Sequence, residues 1–423
     1  MLKNHLQKES LAGITNFLAT CYIIIVNPMI LSQAGMPQEA LVTSTVILIV
    51  VSTLLMGLFA NMPIVVAPGM GLNAFFAYSI VMGHQIQWQT ALGMVFWTGI
   101  IFVGMSVFNI RTAIVKAIPP SLRYGVASGI GLFIALIGLT NAGFITDHPV
   151  TLVTRGPLTP SVLVFLFGLV ITSALLLRKN NAAFIIGIVL TTLISIPFGI
   201  TNPFEKYWIS MPNFELFFAM DLVGSLKLSF APIIFAMLFT DLFDSLSTFM
   251  GLAEAGELFD ENGDPKNVKQ SLIVDAISTT LSGLFGTSPG TAYIESATGI
   301  KQGGRTGMTA IATALLFIPC LFFAPLFSMI PKVATAPILV LVGVLMVTPL
   351  LKMNVKELDE WIPAFLALIL IPLTYSITQG LIWSFLMWSV LKIVSGKFRQ
   401  LSPTLIIIDL FMIIMLLVSH ESS

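Results

Sequence analysis

The sequence predicts an all-α polytopic membrane protein, and three observations support that fold class. Of the 423 residues, 56% are hydrophobic and only 9% are charged, whereas soluble domains carry about 25% charged residues. Apolar stretches of about 20 residues, the length of helix that crosses a bilayer, recur almost from end to end. Landmarks in the first half of the chain recur in the second half, which indicates two inverted repeats.

The composition also excludes several other classes of protein. The 20 basic and 20 acidic residues balance, so no excess of positive charge indicates nucleic-acid binding. Cys21 and Cys320 both lie in apolar stretches and spell neither a disulfide framework nor a metal site. No cleavage site of small residues follows the first apolar run, so we interpret that run as a permanent helix rather than a signal peptide.

Fifteen apolar stretches can be marked along the chain, and several are too short to cross a bilayer alone. They lie at 12–32, 41–60, 68–83, 89–110, 122–142, 160–178, 182–200, 227–250, 270–286, 290–303, 306–330, 332–352, 361–377, 379–394 and 401–418. With a cytoplasmic N-terminus, most of the lysines and arginines fall in cytoplasmic connections, as the positive-inside rule requires. That orientation needs 290–303 to count as a full crossing, and it leaves 401–418 as a surplus stretch.

Two kinds of landmark carry the evidence for a repeat. A Pro-Gly pair opens a stretch of small residues at 68–69 and again at 289–290, which is 221 residues later. An Ile-Pro pair precedes a helix rich in Gly and Val at 118–119 and again at 330–331, which is 212 residues later. Matched segments interrupted by Gly and Pro indicate an inverted-repeat transporter whose site lies where those segments meet.

Carboxylates within apolar stretches are the strongest functional signal. Asp241 and Asp244 lie in FTDLFDSLSTF, and with Ser245 and Thr248 they share one helix face. An Asp at the centre of a membrane helix costs roughly 2.5–3.5 kcal/mol on insertion scales, so each needs a partner or a function. Two like charges so close together resist ionising at once, which suits a group that loads and releases a proton.

A third carboxylate, Glu295, follows a helix break in GTSPGTAYIESATG. Gly286, Pro289 and Gly290 interrupt the helix there, and Thr291 is one of the hydroxyls able to satisfy the freed backbone groups. Unwound backbone at membrane depth is tolerated only against protein or a water-filled cavity. We therefore expect Glu295 to face a cavity.

The first-half counterpart is APGMGLNAFFAY at 67–78. Asn73 can donate and accept hydrogen bonds, and Phe75 or Phe76 can stack on a flat ring. Taken alone, this segment fits helix packing as well as it fits a binding site. Because it corresponds to the Glu295 segment in the proposed repeat, we favour the binding site. Two further acids in apolar stretches, Asp275 and Asp409, are not assigned to the site.

Other chemistries find little support in the sequence. An intramembrane enzyme needs a nucleophile with a base or a histidine metal ligand, and all four histidines fall in tails or loops. The segment GGRTG at 303–307 lacks the Lys-Ser/Thr of a phosphate loop. We therefore expect neither an enzyme, nor a metal site, nor a nucleotide-binding loop.

Taken together, the motifs resemble the nucleobase:cation symporter-2 family. Within that family they are most similar to the azaguanine-permease-like branch, whose members carry adenine, guanine and hypoxanthine. The similarity runs in order along nearly the whole chain. The matching motifs are APGMGLNAFFAY (67–78), SGIGLFIALIGLTNAG (128–143), DLFDS (241–245), TAYIESATG (291–299) and GGRTG (303–307).

The resemblance implies fourteen membrane spans in two inverted repeats of seven, divided into a core domain and a gate domain. Short strands from the third and tenth segments are expected to meet at mid-membrane, and homodimers are a further expectation. The implied divisions are repeats at 1–200 and 201–423, a core at about 12–110 and 227–330, and a gate at about 111–226 and 331–418.

For function, the resemblance implies proton symport of a nucleobase across a bacterial inner membrane, with no cofactor and with sodium left open as the coupling ion. Guanine and hypoxanthine are favoured over adenine because their N1–H suits acidic acceptors. A uracil or xanthine permease, or an anion transporter of the same architecture, remains an alternative. The resemblance and the residues together predict substrate contacts from Asp241, Asp244, Glu295, Asn73, Phe75, Phe76 and Thr291, with the three acids coupling the proton.

Overall fold

A computed structural model describes residues 2–108, 110, 114, 117–201, 207–259 and 265–421. Within these residues, eight helical segments are long and apolar enough to cross a membrane, and four shorter apolar helices accompany them. The chain is therefore a mostly helical polytopic membrane protein. Helix length alone does not divide these segments into fourteen crossings, so that number stays a prediction.

The helices follow the apolar stretches closely, with breaks at the small residues and prolines. The first predicted stretch contains a break at Cys21 and Tyr22, and a π-helix at Phe75–Gly83 continues one of the short helices. The α-helices are Leu2–Thr20, Ile23–Ser32, Gln38–Leu58, Met70–Ala74, Trp88–Val107, Pro120–Asn141, Pro160–Leu177, Ala183–Ser195, Ala231–Gly256, Val268–Phe285, Ala297–Lys301, Gly307–Phe317, Ala324–Ser328, Lys332–Val347, Leu358–Thr374, Ile377–Val394 and Pro403–Glu421.

Two short strands meet at the broken segments, as the resemblance implies. Val66–Pro68 pairs antiparallel with Gly290–Ala292. The Gly69 amide donates to the Pro289 carbonyl over 2.9 Å, so the two Pro-Gly landmarks contact each other directly. Each strand runs into a short helix, which supplies intramembrane backbone with the hydrogen bonds that lipid cannot provide.

The second pair of landmarks is brought together as well. The helices Pro120–Asn141 and Lys332–Val347 pack against each other, and each follows one of the Ile-Pro pairs. A Cβ atom on Gly343 would lie 2.4 Å from the Gly131 carbonyl oxygen, so only glycine allows this approach. These residues are 212 positions apart (343 − 131), which is the spacing of the Ile-Pro landmarks.

The domain divisions remain predictions, because contacts between landmarks do not locate a boundary. The expected boundary between core and gate at 110 and 111 falls where only residues 110 and 114 of 109–116 are described, and residues 202–206 of the expected gate also lie outside the described ranges. The surplus stretch 401–418 forms the helix Pro403–Glu421, which packs against Ile377–Val394.

One element departs from the all-α prediction. Ile145–His148 and Leu152–Arg155 form an antiparallel hairpin between two long helices. Most of its side chains are exposed. Its strands read ITDH and LVTR, which do not show the alternation of apolar and polar residues by which a strand is recognised in a sequence.

A buried lysine lies near the end of the predicted apolar stretch 379–394. Lys392 is 1% exposed, and its ammonium lies 2.5 Å from Asp359 Oδ2 and 2.6 Å from Glu360 Oε1. Trp388 also donates to Glu360 over 2.9 Å. Two carboxylates at the start of one helix thus compensate a cation in the last turn of the next, which joins Leu358–Thr374 to Ile377–Val394.

Candidate functional site

Asp244 and Glu295 line a common cavity of about 60 Å³, here called the acid cavity. One wall comes from the paired broken segments and the helix Ala231–Gly256. The opposite wall comes from Val342 and Met346 on Lys332–Val347. The lining residues are Gly69, Met70, Gly71, Asp244, Thr248, Thr291, Ala292, Tyr293, Ile294, Glu295, Val342 and Met346.

The helix Ala231–Gly256 divides its two aspartates between different surroundings. Asp244 and Thr248, four residues apart on one face, point into the acid cavity. Asp241 is fully buried and accepts a hydrogen bond of 2.8 Å from Thr279 on the neighbouring helix. Asp241 therefore lies behind the cavity wall, although the sequence places both acids on one broad stripe.

Asp275, which the sequence analysis left unassigned, supports the cavity from behind. It is completely buried, and its Oδ2 accepts from the Ser245 hydroxyl over 2.6 Å. Its Oδ1 accepts from the Ala292 amide over 3.2 Å, which holds the strand Gly290–Ala292 against Val268–Phe285. The signal for this residue was present in the sequence as an acid within the apolar run SLIVDAIS.

Glu295 follows the strand Gly290–Ala292, in a 3₁₀ turn at Ile294–Ser296. The hydroxyl of Tyr22, a completely buried residue, donates to Glu295 Oε1 over 2.6 Å. Tyr293, which also lines the cavity, donates to the Pro68 carbonyl over 2.5 Å. Neither tyrosine was predicted to belong to the site. Tyr293 lies within the motif TAYIESATG, whereas nothing in a linear motif indicates that Tyr22 meets a residue 273 positions away.

Among the described residues, neither cavity acid is neutralised by a fixed cation. Within the described residues, Asp244 and Glu295 form no ion pair with lysine, arginine or histidine. Both side chains are only half-buried, so they remain open to the cavity. The pair can therefore accept hydrogen bonds from a ligand or take up a proton.

Thr291 lines the cavity, with its hydroxyl 3.0 Å from that of Ser245. The other residues predicted for the first-half segment lie deeper. Asn73 is fully buried, and its Oδ1 accepts from Ser288 over 2.6 Å. Phe75 and Phe76 are 1% and 0% exposed and pack in the apolar core. The structure thus brings Asp244, Glu295 and Thr291 together at the cavity.

Asn73 belongs to a neutral polar network rather than to the cavity surface. Ser288 also contacts Asn27 Oδ1 at 3.1 Å, and the Asn27 amide donates to Thr45 and Thr287 over 2.7 and 2.9 Å. This network pairs the side-chain oxygens of Asn27 and Asn73 where two helices are broken, while Asn73 Nδ2 has no hydrogen-bond partner among the described residues.

Paired broken helices beside a cavity that contains two acids are typical of a membrane transporter. Comparison with known proteins agrees with this class. Residues 7–382 match the profile of a family described as a permease family, and the chain belongs to that family, the nucleobase:cation symporter-2 permeases.

Several curated relatives match almost the whole chain. Adenine permease AdeP of Escherichia coli (strain K12) is 42% identical over 409 residues, which cover 96% of this chain and 92% of that protein. Guanine/hypoxanthine permease PbuO of Bacillus subtilis (strain 168) is 39% identical over 425 residues, which cover 98% of each. Nucleobase transporter PlAzg2 of Paenibacillus larvae is 33% identical over 90% of this chain and 77% of that protein.

Solved structures share the architecture at low sequence identity. The transmembrane domain of the cyanobacterial bicarbonate transporter BicA superposes with a TM-score of 0.68 at 18% identity, covering 90% of this chain and 97% of that one. SLC26A9 gives a TM-score of 0.63 at 13% identity, covering 94% of this chain and 66% of that one. At these identities the likeness establishes the fold and nothing more.

Proposed function

We propose that this protein is a secondary active transporter that imports a purine nucleobase by proton symport, with guanine and hypoxanthine favoured and adenine as a further candidate. The observation that carries the proposal is the placement of Asp244 and Glu295 in one cavity at the paired broken segments, where the described lining includes no cation. The relatives named as adenine and guanine/hypoxanthine permeases support the same class of substrate.

The chemistry of the cavity suits the edge of an oxopurine. Carboxylates accept hydrogen bonds, and guanine and hypoxanthine present N1–H as a donor, which adenine lacks. Tyr293 supplies an aromatic side chain and Thr291 a hydroxyl in the same lining. The predicted contacts of Asp241, Asn73, Phe75 and Phe76 are not direct in this arrangement, because these residues are buried outside the cavity lining.

The size of the acid cavity implies movement during transport. Its volume of about 60 Å³ is well below the roughly 300 Å³ at which ligand pockets begin. Val342 and Met346 form the opposite wall, so withdrawal of Lys332–Val347 from the broken segments would admit the base. This displacement is the rocking of one helix set against another that alternating access requires.

Two contacts between the helix sets would change in such a cycle. The Lys352 ammonium lies 3.5 Å from Glu254, where the ends of Lys332–Val347 and Ala231–Gly256 approach each other. At the opposite end of the spans, Ser79 donates to the Tyr375 carbonyl over 2.5 Å. Opening one face while the other stays closed would break these contacts alternately.

Carboxylates that are open to a cavity whose described lining contains no cation support proton coupling. Moving one positive charge inward through 100 mV yields about 2.3 kcal/mol, and each tenfold of accumulation requires roughly 1.4 kcal/mol. One proton per neutral base therefore supports more than tenfold uptake. Sodium coupling is the alternative, and dependence of uptake on external sodium rather than on the proton gradient would indicate it.

The topology completes the proposal. We place the N-terminus in the cytoplasm and the protein in a bacterial inner membrane, because most lysines and arginines then fall on the cytoplasmic side. A homodimer is part of the proposal on family resemblance. Crosslinking in native membranes tests this association, and a monomer at all crosslinker concentrations would contradict it.

The transport experiment uses cells that lack their own purine permeases. Uptake of labelled hypoxanthine, guanine, adenine, xanthine and uracil is measured with and without a protonophore. We expect saturable purine uptake that the protonophore abolishes and that Glu295→Gln and Asp244→Asn each remove. Asp409→Asn is the matched control, because Asp409 is another buried acid and bonds to Ser389 outside the cavity.

Normal uptake in both cavity variants would contradict the proposed site. Uptake of uracil or xanthine in place of the other purines would favour the alternative permeases of this fold. Anion transport has less support, because the described lining of the acid cavity contains two acids and no basic residue.

A further inference from the structure

Three aromatic rings form a continuous contact between the two helix sets, here called the aromatic layer. The ring centroids of Tyr78 and Phe133 are 6.5 Å apart, and those of Phe133 and Tyr375 are 5.3 Å apart, each pair edge to face. Tyr78 lies on the π-helix that continues the first broken segment. Phe133 lies on Pro120–Asn141, and Tyr375 directly follows Leu358–Thr374. The layer therefore joins a broken segment to the helices that face it.

The aromatic layer lies between the acid cavity and a second cavity of about 290 Å³, here called the outer cavity. Asn141, at the end of Pro120–Asn141, lines the outer cavity. On the same helix, Ile130 packs against Gly71 of the acid cavity lining. Ile130 and Asn141 are 11 positions apart (141 − 130), which is about 16 Å along a helix axis. Phe133 lies within this interval, so its ring separates the two cavities.

The proposed topology places the outer cavity on the outer face of the membrane. Ser32 contributes to the lining of this cavity, and it ends the span that starts near the N-terminus. With the N-terminus in the cytoplasm, that span ends outside the cell. The aromatic layer therefore closes the acid cavity off from the outer face in this conformation.

Polar groups hold the aromatic layer together. The side chains of Gln33 and Asn141 both reach the Tyr78 hydroxyl. The Ser79 hydroxyl donates to the Tyr375 carbonyl over 2.5 Å. Tyr375 has a left-handed backbone with a φ of 52°, and such residues other than glycine cluster at functional sites and switch regions. Each of these contacts crosses from one helix set to the other, so movement between the sets must break them.

We propose that the aromatic layer is the outer gate of the transporter. Tyr78 parts from Phe133 and Asn141 to connect the outer cavity with the acid cavity, and it returns to them to close the path. The proposal rests on transport by alternating access as the function of the protein. The rings exclude water between the two cavities, and the polar contacts break and form again in each cycle. A π-helix carries Tyr78, and π-helical turns occur frequently at functional sites.

Cysteine labelling from outside the cell measures the opening of this gate. In a background with Cys21→Ala and Cys320→Ala, Val342→Cys places a single thiol in the lining of the acid cavity. A membrane-impermeant thiol reagent added outside should label this thiol slowly. Tyr78→Phe and Ser79→Ala should each raise the labelling rate about fivefold, as expected when the closed gate loses a hydrogen bond.

Tyr124→Phe and Ser384→Ala are the matched controls for these two substitutions. Tyr124 lies on Pro120–Asn141 and lines neither cavity. Ser384 donates to the Leu381 carbonyl within its own helix. Both controls remove a hydroxyl and leave the aromatic layer intact, so the labelling rate should stay unchanged.

A crosslink tests the gate from the opposite direction. Gln33→Cys and Asn141→Cys in the cysteine-free background place two thiols near the Tyr78 hydroxyl, because both original side chains reach it. A short bifunctional methanethiosulfonate should join them and hold the gate closed. Uptake of labelled hypoxanthine should then fall at least tenfold and recover when a reducing agent removes the crosslink.

The outcomes separate the gate from the identity of the substrate. Labelling rates in Tyr78→Phe and Ser79→Ala that match those of the controls would overturn the gate. Full uptake after complete crosslinking would also overturn it. Faster labelling of both gate variants in a protein that carries no purine would uphold the gate and overturn the proposed substrate.

Discussion

The hydrogen bond from Tyr22 to Glu295 gives the sharpest test of the acid cavity. Tyr22→Phe removes one hydroxyl and keeps the buried ring, which also contacts the Phe184 ring at a centroid distance of 4.9 Å. The lost bond measures 2.6 Å and ends on a carboxylate. Hydrogen bonds to charged groups contribute about 1.5–3 kcal/mol, so transport efficiency should fall roughly 10- to 150-fold.

Initial rates of labelled hypoxanthine uptake, normalised to the amount of protein in the membrane, measure this effect. Tyr124→Phe is the matched control, because Tyr124 lies on Pro120–Asn141 and lines neither cavity. We expect both variants to reach the membrane, with loss of uptake per molecule confined to Tyr22→Phe.

A double-mutant cycle establishes whether Tyr22 acts through Glu295. If it does, adding Tyr22→Phe to Glu295→Gln should cause little further loss of hypoxanthine binding. Unchanged uptake in Tyr22→Phe, or independent and additive losses in the double variant, would refute the positioning role of this tyrosine.

Three further predictions concern packing, the buried ion pairs and the cavity wall. Gly343→Ala should destabilise the protein by about 1–3 kcal/mol, because its new Cβ would overlap a backbone carbonyl. The control Gly104→Ala, which has open space around it, should leave the melting temperature unchanged. Equal melting temperatures for the two variants would contradict this packing. Lys392→Met should lower expression because it leaves Glu360 without its cation, whereas Asp359 keeps an ion pair with Lys397 at 2.8 Å. Adding Glu360→Gln should recover part of the lost expression, and full expression of the single variant would show that the pair is dispensable. Met346→Ala should join the acid cavity to a neighbouring cavity of about 10 Å³ that Met346 also lines. Methylated purines should then compete severalfold better with labelled hypoxanthine for uptake. Unchanged competition would place Met346 outside the binding path.

Much of the architecture could be predicted from the sequence, because lipid imposes strict conditions on it. Long apolar segments must be helices, and the Pro-Gly pairs had to interrupt them. Acids in apolar runs had to find partners or a cavity, and Glu295 does line one. The pairing of Val66–Pro68 with Gly290–Ala292 was available only through family resemblance, since three-residue strands carry no periodic signal.

The tertiary structure decided which of the predicted residues reach the cavity. Asp241 and Asp244 are three positions apart, so the helical period places them on one stripe without deciding which neighbour each one meets. Because Ala231–Gly256 packs against Val268–Phe285, Asp241 accepts a hydrogen bond from Thr279, whereas Asp244 faces the acid cavity. Helical periodicity orients a side chain relative to its own axis, whereas the partner of Glu295, Tyr22, depends on how segments 273 residues apart come together.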